Sequence, residues 1–182
     1  VNPYQTLYSH KDEYIFYKTD HHWTSLGANY AYQDLSKAMK LKKTPSNYYK
    51  TQIVSNSFIG SLSSKSGYDV KFHDKINIYL PANNLEEIVV NYVEEQEKTA
   101  TLYNSSSLSK KDNYDVFLKG NHPLVKIRTN TKNNKNLLIF KDSYANSFVP
   151  FLIKDFSNII LVDPRYYYDD IYKLIKNENV SD

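Results

Sequence analysis

Two short apolar runs, Leu137–Phe140 and Asn158–Val162, bracket a segment, Phe148–Phe156, whose apolar residues recur at helical spacing. Runs this short between polar turns read as buried strands, and strand–helix alternation is the pattern of β/α units in a parallel sheet. Pro150 must then sit in the first turn of that helix or kink it. The other end of the chain reads the same way. Glu13–Lys18 is β-rich and runs into a polar turn, after which Ala28, Tyr32, Leu35 and Met39 recur at helical spacing, with Thr24 placed to cap. Asp169–Lys176 reads as a final helix.

The middle differs. Gln52–Gly60 is extended and Ser61–Gly67 is a small-residue loop. Within residues 68–130, the segments Lys75–Leu80, Ile88–Val93, Ala100–Tyr103 and Leu124–Thr129 are short, β-like and separated by polar linkers. The expectation is one α/β domain over 1–182: a parallel sheet flanked by helices, with a β-rich insertion at approximately 68–130. The 182 residues suffice for a sizeable core. The start at Val1, and a stop where another strand is due, suggest a chain trimmed at both ends. No apolar run approaches the roughly 18 residues of a membrane-spanning helix.

Composition narrows the function classes. Of 23 basic residues all but Arg128 and Arg165 are lysine, and the net charge is only +3. Lysine lacks the bidentate fork that reads phosphates and bases, so a nucleic-acid partner is disfavoured. Without cysteine there is no disulfide, thiolate metal site or thiol nucleophile. The 18 Tyr suit a sugar- or protein-binding surface, and a general compositional bias explains them equally well.

Two stretches can carry chemistry. One is Asp20-His21-His22-Trp23 at a strand end; the other is Ser143 at a strand-to-helix turn. A hydroxyl needs an adjacent base to become a nucleophile, and the histidine that serves needs a carboxylate to set its tautomer. A serine at the end of a buried strand is exposed where α/β sites form. The bland alternatives are a turn with satisfied histidines or an incidental metal site at His21-His22, and a helix N-cap at Ser143. Side chains of the adjacent His21 and His22 diverge on extended backbone, so no convincing metal-ligand spacing exists, and no cofactor motif is present.

The stretch Tyr17-Lys18-Thr19-Asp20-His21-His22-Trp23-Thr24, with Gly27 following, resembles the hallmark of the DHHW family. That family is similar to the SGNH-hydrolase-like domains of bacterial alginate and exopolysaccharide O-acetyltransferases. Phe140-Lys141-Asp142-Ser143-Tyr144-Ala145-Asn146 is similar to their nucleophile motif, with Lys141 where Gly is usual. Asp163-Pro164-Arg165-Tyr166-Tyr167 resembles a further DHHW segment.

The resemblance implies Ser143 as nucleophile, His22 as general base and Asp20 as its orienting carboxylate, in a circularly permuted SGNH order. It leaves His21 without a catalytic role. Tyr144 is positioned to supply an oxyanion N–H. Arg165 is read as either an anion contact or a salt bridge, and Asn146 as a cap or a substrate contact. Gly120-Asn121-His122-Pro123 is a polar knot, read as a turn before an oxyanion donor. The implied activity is Ser-His-Asp acyl transfer outside the cytoplasm, by an O-acetyltransferase or acetylesterase of cell-surface polysaccharide, without a cofactor. Its acyl donor would be relayed by a membrane acyltransferase. The rival readings are a non-catalytic carbohydrate-binding or scaffold domain and a fragment without activity of its own.

Overall fold

The structure is a computed structural model that describes residues 1–83, 86–110, 112–178 and 180. The fold is mixed α/β, and the chain divides into two compact units, each built from two stretches of sequence. One comprises Val1–Asn84 and Tyr103–Gly120; the other comprises Leu85–Leu102 and Asn121–Asp182.

The first unit contains helices α1 (Tyr4–Ser9) and α2 (Ser25–Ala38), strand β1 (Tyr49–Phe58), helix α3 (Ser61–Ser66) and strand β2 (Asp74–Pro81). Strands β1 and β2 pair antiparallel, from Tyr49 opposite Pro81 to Phe58 opposite Asp74. Thr24 caps α2 as its sequence position predicts: its side chain accepts from the Gly27 N–H. The apolar centre joins Tyr17, Phe58 and Ile76 to Tyr114, Val116 and Phe117 of the returning segment.

The predicted strand at Glu13–Lys18 forms only a single bridge, Phe16 to Trp23. Its residues instead enter a tight loop: Tyr17 N–H donates to His22 C=O at 3.2 Å and Thr24 N–H to Ile15 C=O at 2.9 Å. The chain therefore doubles back on itself, with Lys18–His21 at the tip, and among the described residues no partner strand is recruited. Ser61–Gly67, expected as a loop, holds α3, ended by Gly67 in the left-handed region at φ 76°.

The second unit is built on five strands, β3 (Ile88–Tyr92), β4 (Glu97–Thr99), β5 (Leu124–Thr129), β6 (Asn136–Phe140) and β7 (Asn158–Val162), with helices α4 (Ala145–Phe148) and α5 (Ile171–Asn177). The spatial order is β4-β3-β5-β7-β6. Only β6 and β7 run parallel; the other neighbouring pairs are antiparallel. This corrects the expected parallel sheet. The intervening Lys141–Ser157 is long enough for a crossover, whereas β3 and β4 are joined by a tight turn that permits only antiparallel pairing. Of the β-like segments in 68–130, one becomes β2 in the first unit and two become β3 and β5 here, while Ala100–Tyr103 contributes just a bridge from Tyr103 to Phe117.

Strand β7 lies inside the sheet between β5 and β6 and is buried from Ile159 to Val162, as its unbroken apolar run predicts. Strand β6 is an edge, and Phe140 is exposed, so a short apolar run did not mean full burial there. The predicted helix at Phe148–Phe156 begins earlier, as α4, and becomes a 3₁₀ turn over Val149–Phe151. Pro150 causes the change, because it lacks an N–H and its ring clashes with the carbonyl four residues back. Ile159 is fully buried in β7. Ile159→Ala should lower the unfolding free energy by about 2–5 kcal/mol, measured by urea titration.

Candidate functional site

The tip of the Ile15–Thr24 loop is held from below by Asp74, the first residue of β2 and wholly buried. Its carboxylate accepts from Lys18 N–H at 3.1 Å, Thr19 N–H at 2.7 Å and Thr19 Oγ1 at 2.5 Å, and also from the Tyr14 hydroxyl. Thr19 in turn accepts from Gly60 N–H at 3.0 Å and, through its carbonyl, from Ser63 N–H at 3.1 Å. The turn into α3 is thereby fastened to the loop.

Asp20 and His22 stand on this platform, both buried. Asp20 Oδ1 accepts from His22 Nδ1 at 2.5 Å and from His22 N–H at 3.0 Å, while Oδ2 accepts from Ser61 N–H at 2.7 Å. Burial alone would raise the Asp20 carboxyl, but these hydrogen bonds hold it well below the usual carboxylate range. An ionised carboxylate only accepts, so the proton of a neutral His22 ring sits on Nδ1. Nε2 then carries the lone pair that a general base needs. The ring is held flat against Tyr114, with centroids 3.9 Å apart and planes 8° from parallel.

His21 is exposed and its Nδ1 is 2.8 Å from Ser61 Oγ; its ring lies 3.9 Å from that of His22, which corrects the expected divergence, because the two residues sit in a turn and not on extended backbone. Asp20, His21 and His22 each offer a metal-ligand atom within 4.8 Å of the others. Trp23 contributes backbone pairing to Phe16, and Gly27 lets α2 approach the loop: a Cβ there would lie 2.4 Å from the Ile15 carbonyl oxygen.

Ser143, Tyr144, Asn146 and Arg165 belong to the second unit. Ser143 is half-buried in the turn between β6 and α4, and its carbonyl accepts from Asn146 N–H at 3.2 Å. The N-cap position of α4 is Tyr144, so Ser143 is not its cap. Tyr144 N–H donates to Asp142 Oδ1 at 3.0 Å, an Asx turn that shapes the segment. Asn146 lies inside α4, buried, and does not cap. Arg165 forms a two-pronged ion pair with buried Asp163, Nε to Oδ1 at 2.9 Å and a terminal nitrogen to Oδ2 at 2.6 Å. The salt-bridge reading of Arg165 is thus realised, with nearly half of its side chain exposed.

The family model described as DHHW protein matches residues 2–162. The chain belongs to the DHHW family. It is similar to a solved DHHW family protein from Eubacterium siraeum, at 30% identity and a TM-score of 0.85, covering all of this chain and 61% of that one. Two structures of Bacillus cereus PatB1 also resemble it in fold. The one bearing a sulfonyl adduct is 22% identical with a TM-score of 0.74, over 96% of this chain and 63% of that one. The other is 21% identical with a TM-score of 0.79, over 99% and 65%. The chain therefore spans less than two thirds of these solved proteins. No curated protein matches the chain.

Asp20 and His22, which the DHHW resemblance implied as partners, are hydrogen-bonded to one another. Sequence reasoning missed Asp74, the Gly60-Ser61 turn and Tyr114, which make the pair rigid. None carries a local signal, since each comes from a distant part of the chain. A Cβ on Gly60 would lie 2.1 Å from Asp20 Cβ. Gly60→Ala should therefore destabilise the protein and shift the His22 ring resonances in NMR spectra, where a remote surface substitution would not.

The lowered Asp20 value also sets a pH dependence. A carboxyl more acidic in the folded than the unfolded chain stabilises fully above its ordinary value of about 4, and that contribution fades as pH falls below it. The gap in urea midpoint between wild type and Asp20→Asn should be widest near neutral pH and close progressively below about pH 4.

Proposed function

We propose that this DHHW protein is an acyl-transfer enzyme with Ser143 as nucleophile, His22 as general base and Asp20 as the carboxylate that orients it. The observation that carries this is the Asp20–His22 pair: buried, bonded at 2.5 Å and fixed in one tautomer. A surface histidine in a plain turn needs neither a stacked ring nor a carboxylate fed by a separate backbone N–H. The fold likeness to PatB1 supports the same reading. A sulfonyl adduct of the kind that structure bears forms when an activated nucleophile displaces a leaving group from sulfur, and the nucleophile proposed for this chain is the Ser143 hydroxyl. Within this proposal the chain is a permuted SGNH-like domain.

In the first step His22 Nε2 takes the Ser143 hydroxyl proton as Oγ attacks the acyl carbonyl. The tetrahedral oxyanion collapses to an acyl-Ser143 ester, and the leaving alkoxide takes the proton from His22. In the second step His22 deprotonates the acceptor, which attacks the acyl-enzyme and regenerates the Ser143 hydroxyl. Asp20 stabilises the imidazolium in both steps. With water as acceptor the protein is an acetylesterase; with a sugar hydroxyl it is an O-acetyltransferase. The acceptor we propose is a bacterial cell-surface or exopolysaccharide outside the cytoplasm, with acyl groups relayed by a membrane acyltransferase.

A second reading, a non-catalytic carbohydrate-binding domain, has one observation in its favour. The first unit has a cavity of about 710 Å³ lined by Tyr32, Tyr49 and Tyr79 with the amides of Asn29 and Gln33. Aromatic faces beside amides suit sugar rings.

Hydrolysis of p-nitrophenyl acetate separates the two. Ser143→Ala and His22→Ala should each lower kcat by about 10³-fold or more. A sulfonyl fluoride should add to Ser143, seen by peptide mass spectrometry, and fail to add to the His22→Ala protein. Ester release that survives Ser143→Ala, in a protein that binds oligosaccharide, would establish the binding reading.

A further inference from the structure

Lys141 is buried two residues before Ser143. Its ammonium nitrogen donates to Asn146 Oδ1 at 2.6 Å and to Asn121 Oδ1 at 3.2 Å, and lies 3.9 Å from Asp163 Oδ2. Asn146 Nδ2 also donates to Asn121 Oδ1, at 3.3 Å. Since an ammonium has donors only, both amides must turn their oxygens toward it. On the main chain, Lys141 N–H donates to Val162 C=O at 2.8 Å, extending the β6–β7 pairing by one step.

Three polar segments that sequence analysis noted separately thus meet at one buried cation: Gly120–Pro123, Phe140–Asn146 and Asp163–Tyr167. The arrangement grips the Ser143 turn at both ends. Lys141 enters it and Asn146 leaves it, and the same nitrogen ties the two side chains together. A residue without this side chain would keep the main-chain bond to Val162 but lose the tie to Asn146 and Asn121.

We propose that Lys141 is a positioning residue, a protonated clamp that fixes the Ser143 turn through Asn146 and Asn121 and loosens when it loses its charge. The clamp rests on the reading of Ser143 as nucleophile only for its effect on catalysis. Electrostatics agree with a group that titrates within reach. Burial lowers the Lys141 ammonium to about 8; Asp163 opposes that shift, Arg165 adds to it, and the nearby Asp142 opposes it weakly. Asp163 is itself engaged by Arg165, so it does not neutralise Lys141 alone. When Lys141 is neutral, its amine retains fewer donors, and its charge-assisted bond to Asn146 becomes an ordinary one.

Two measurements test the clamp. In the Ser143→Ala protein, where no catalysis intrudes, the side-chain amide resonances of Asn121 and Asn146 should move together with a midpoint near pH 8, and the transition should vanish on adding Lys141→Met. In the active protein, kcat for p-nitrophenyl acetate should fall above about pH 8. Lys141→Met should lower kcat about tenfold, leave KM within about twofold and abolish that alkaline limb. Should Lys141→Met fail to fold, as judged by circular dichroism, Asn146→Asp serves instead. The added carboxylate stabilises the ammonium and should move the limb upward by about one pH unit. Amide resonances that do not titrate in the alkaline range, or a limb that neither variant moves, would overturn the clamp. Ester release independent of Ser143 would overturn the proposed function, and the amide titration would still decide the clamp.

Discussion

Everything at the DHHW loop depends on the buried carboxylate of Asp74. A loop tip with no strand partner has peptide N–H groups to satisfy, and an unpaired buried one costs about as much as a lost hydrogen bond. Asp74 takes two of these N–H groups and the Thr19 hydroxyl. It therefore converts a turn that would otherwise be mobile into a mount. Asp20 inherits its position from that mount, and His22 inherits its tautomer from Asp20. The order of dependence runs outward from the interior, so the residues that define the chemistry are the last to be fixed.

The two units carry their polar groups differently. In the first, negative charge is buried and neutralised by backbone donors around Asp74 and Asp20. In the second, charges of both signs are buried side by side, the Lys141 ammonium between two amide oxygens and the Asp163 carboxylate. Both arrangements cost desolvation, and neither adds apolar stability. Each restricts the geometry of one short turn.

The sequence was informative where the structure is local. Thr24 announced its helix, the unbroken Asn158–Val162 announced an interior strand, and Asp20 and His22 at a spacing of two were enough for one to bond the other. It misled where pairing decides. Glu13–Lys18 has strand composition but folds back through its own tip, and Leu137–Phe140 has the composition of a buried strand yet forms an edge. Neither fact is written in the segment itself, because strand propensity reports fit to a pleated surface and not which neighbour is present. Asp74, Ser61 and Tyr114 escaped notice for the same reason: each becomes meaningful only through a partner far away in the chain.

Tyr114, whose ring backs His22, reaches the first unit on a segment that returns after the chain has contributed β3 and β4 to the second. Each unit is therefore discontinuous, and no single cut of the gene yields either one whole. It follows that the order of events in folding is constrained. Contacts between distant segments must wait for loop closure, which is slow. A nascent chain can form the Ile15–Thr24 loop and the β1–β2 pair early, but the wall behind His22 arrives only with residues 103–120. Competence at the histidine is then a late property of the chain, gained after most of the first unit already exists.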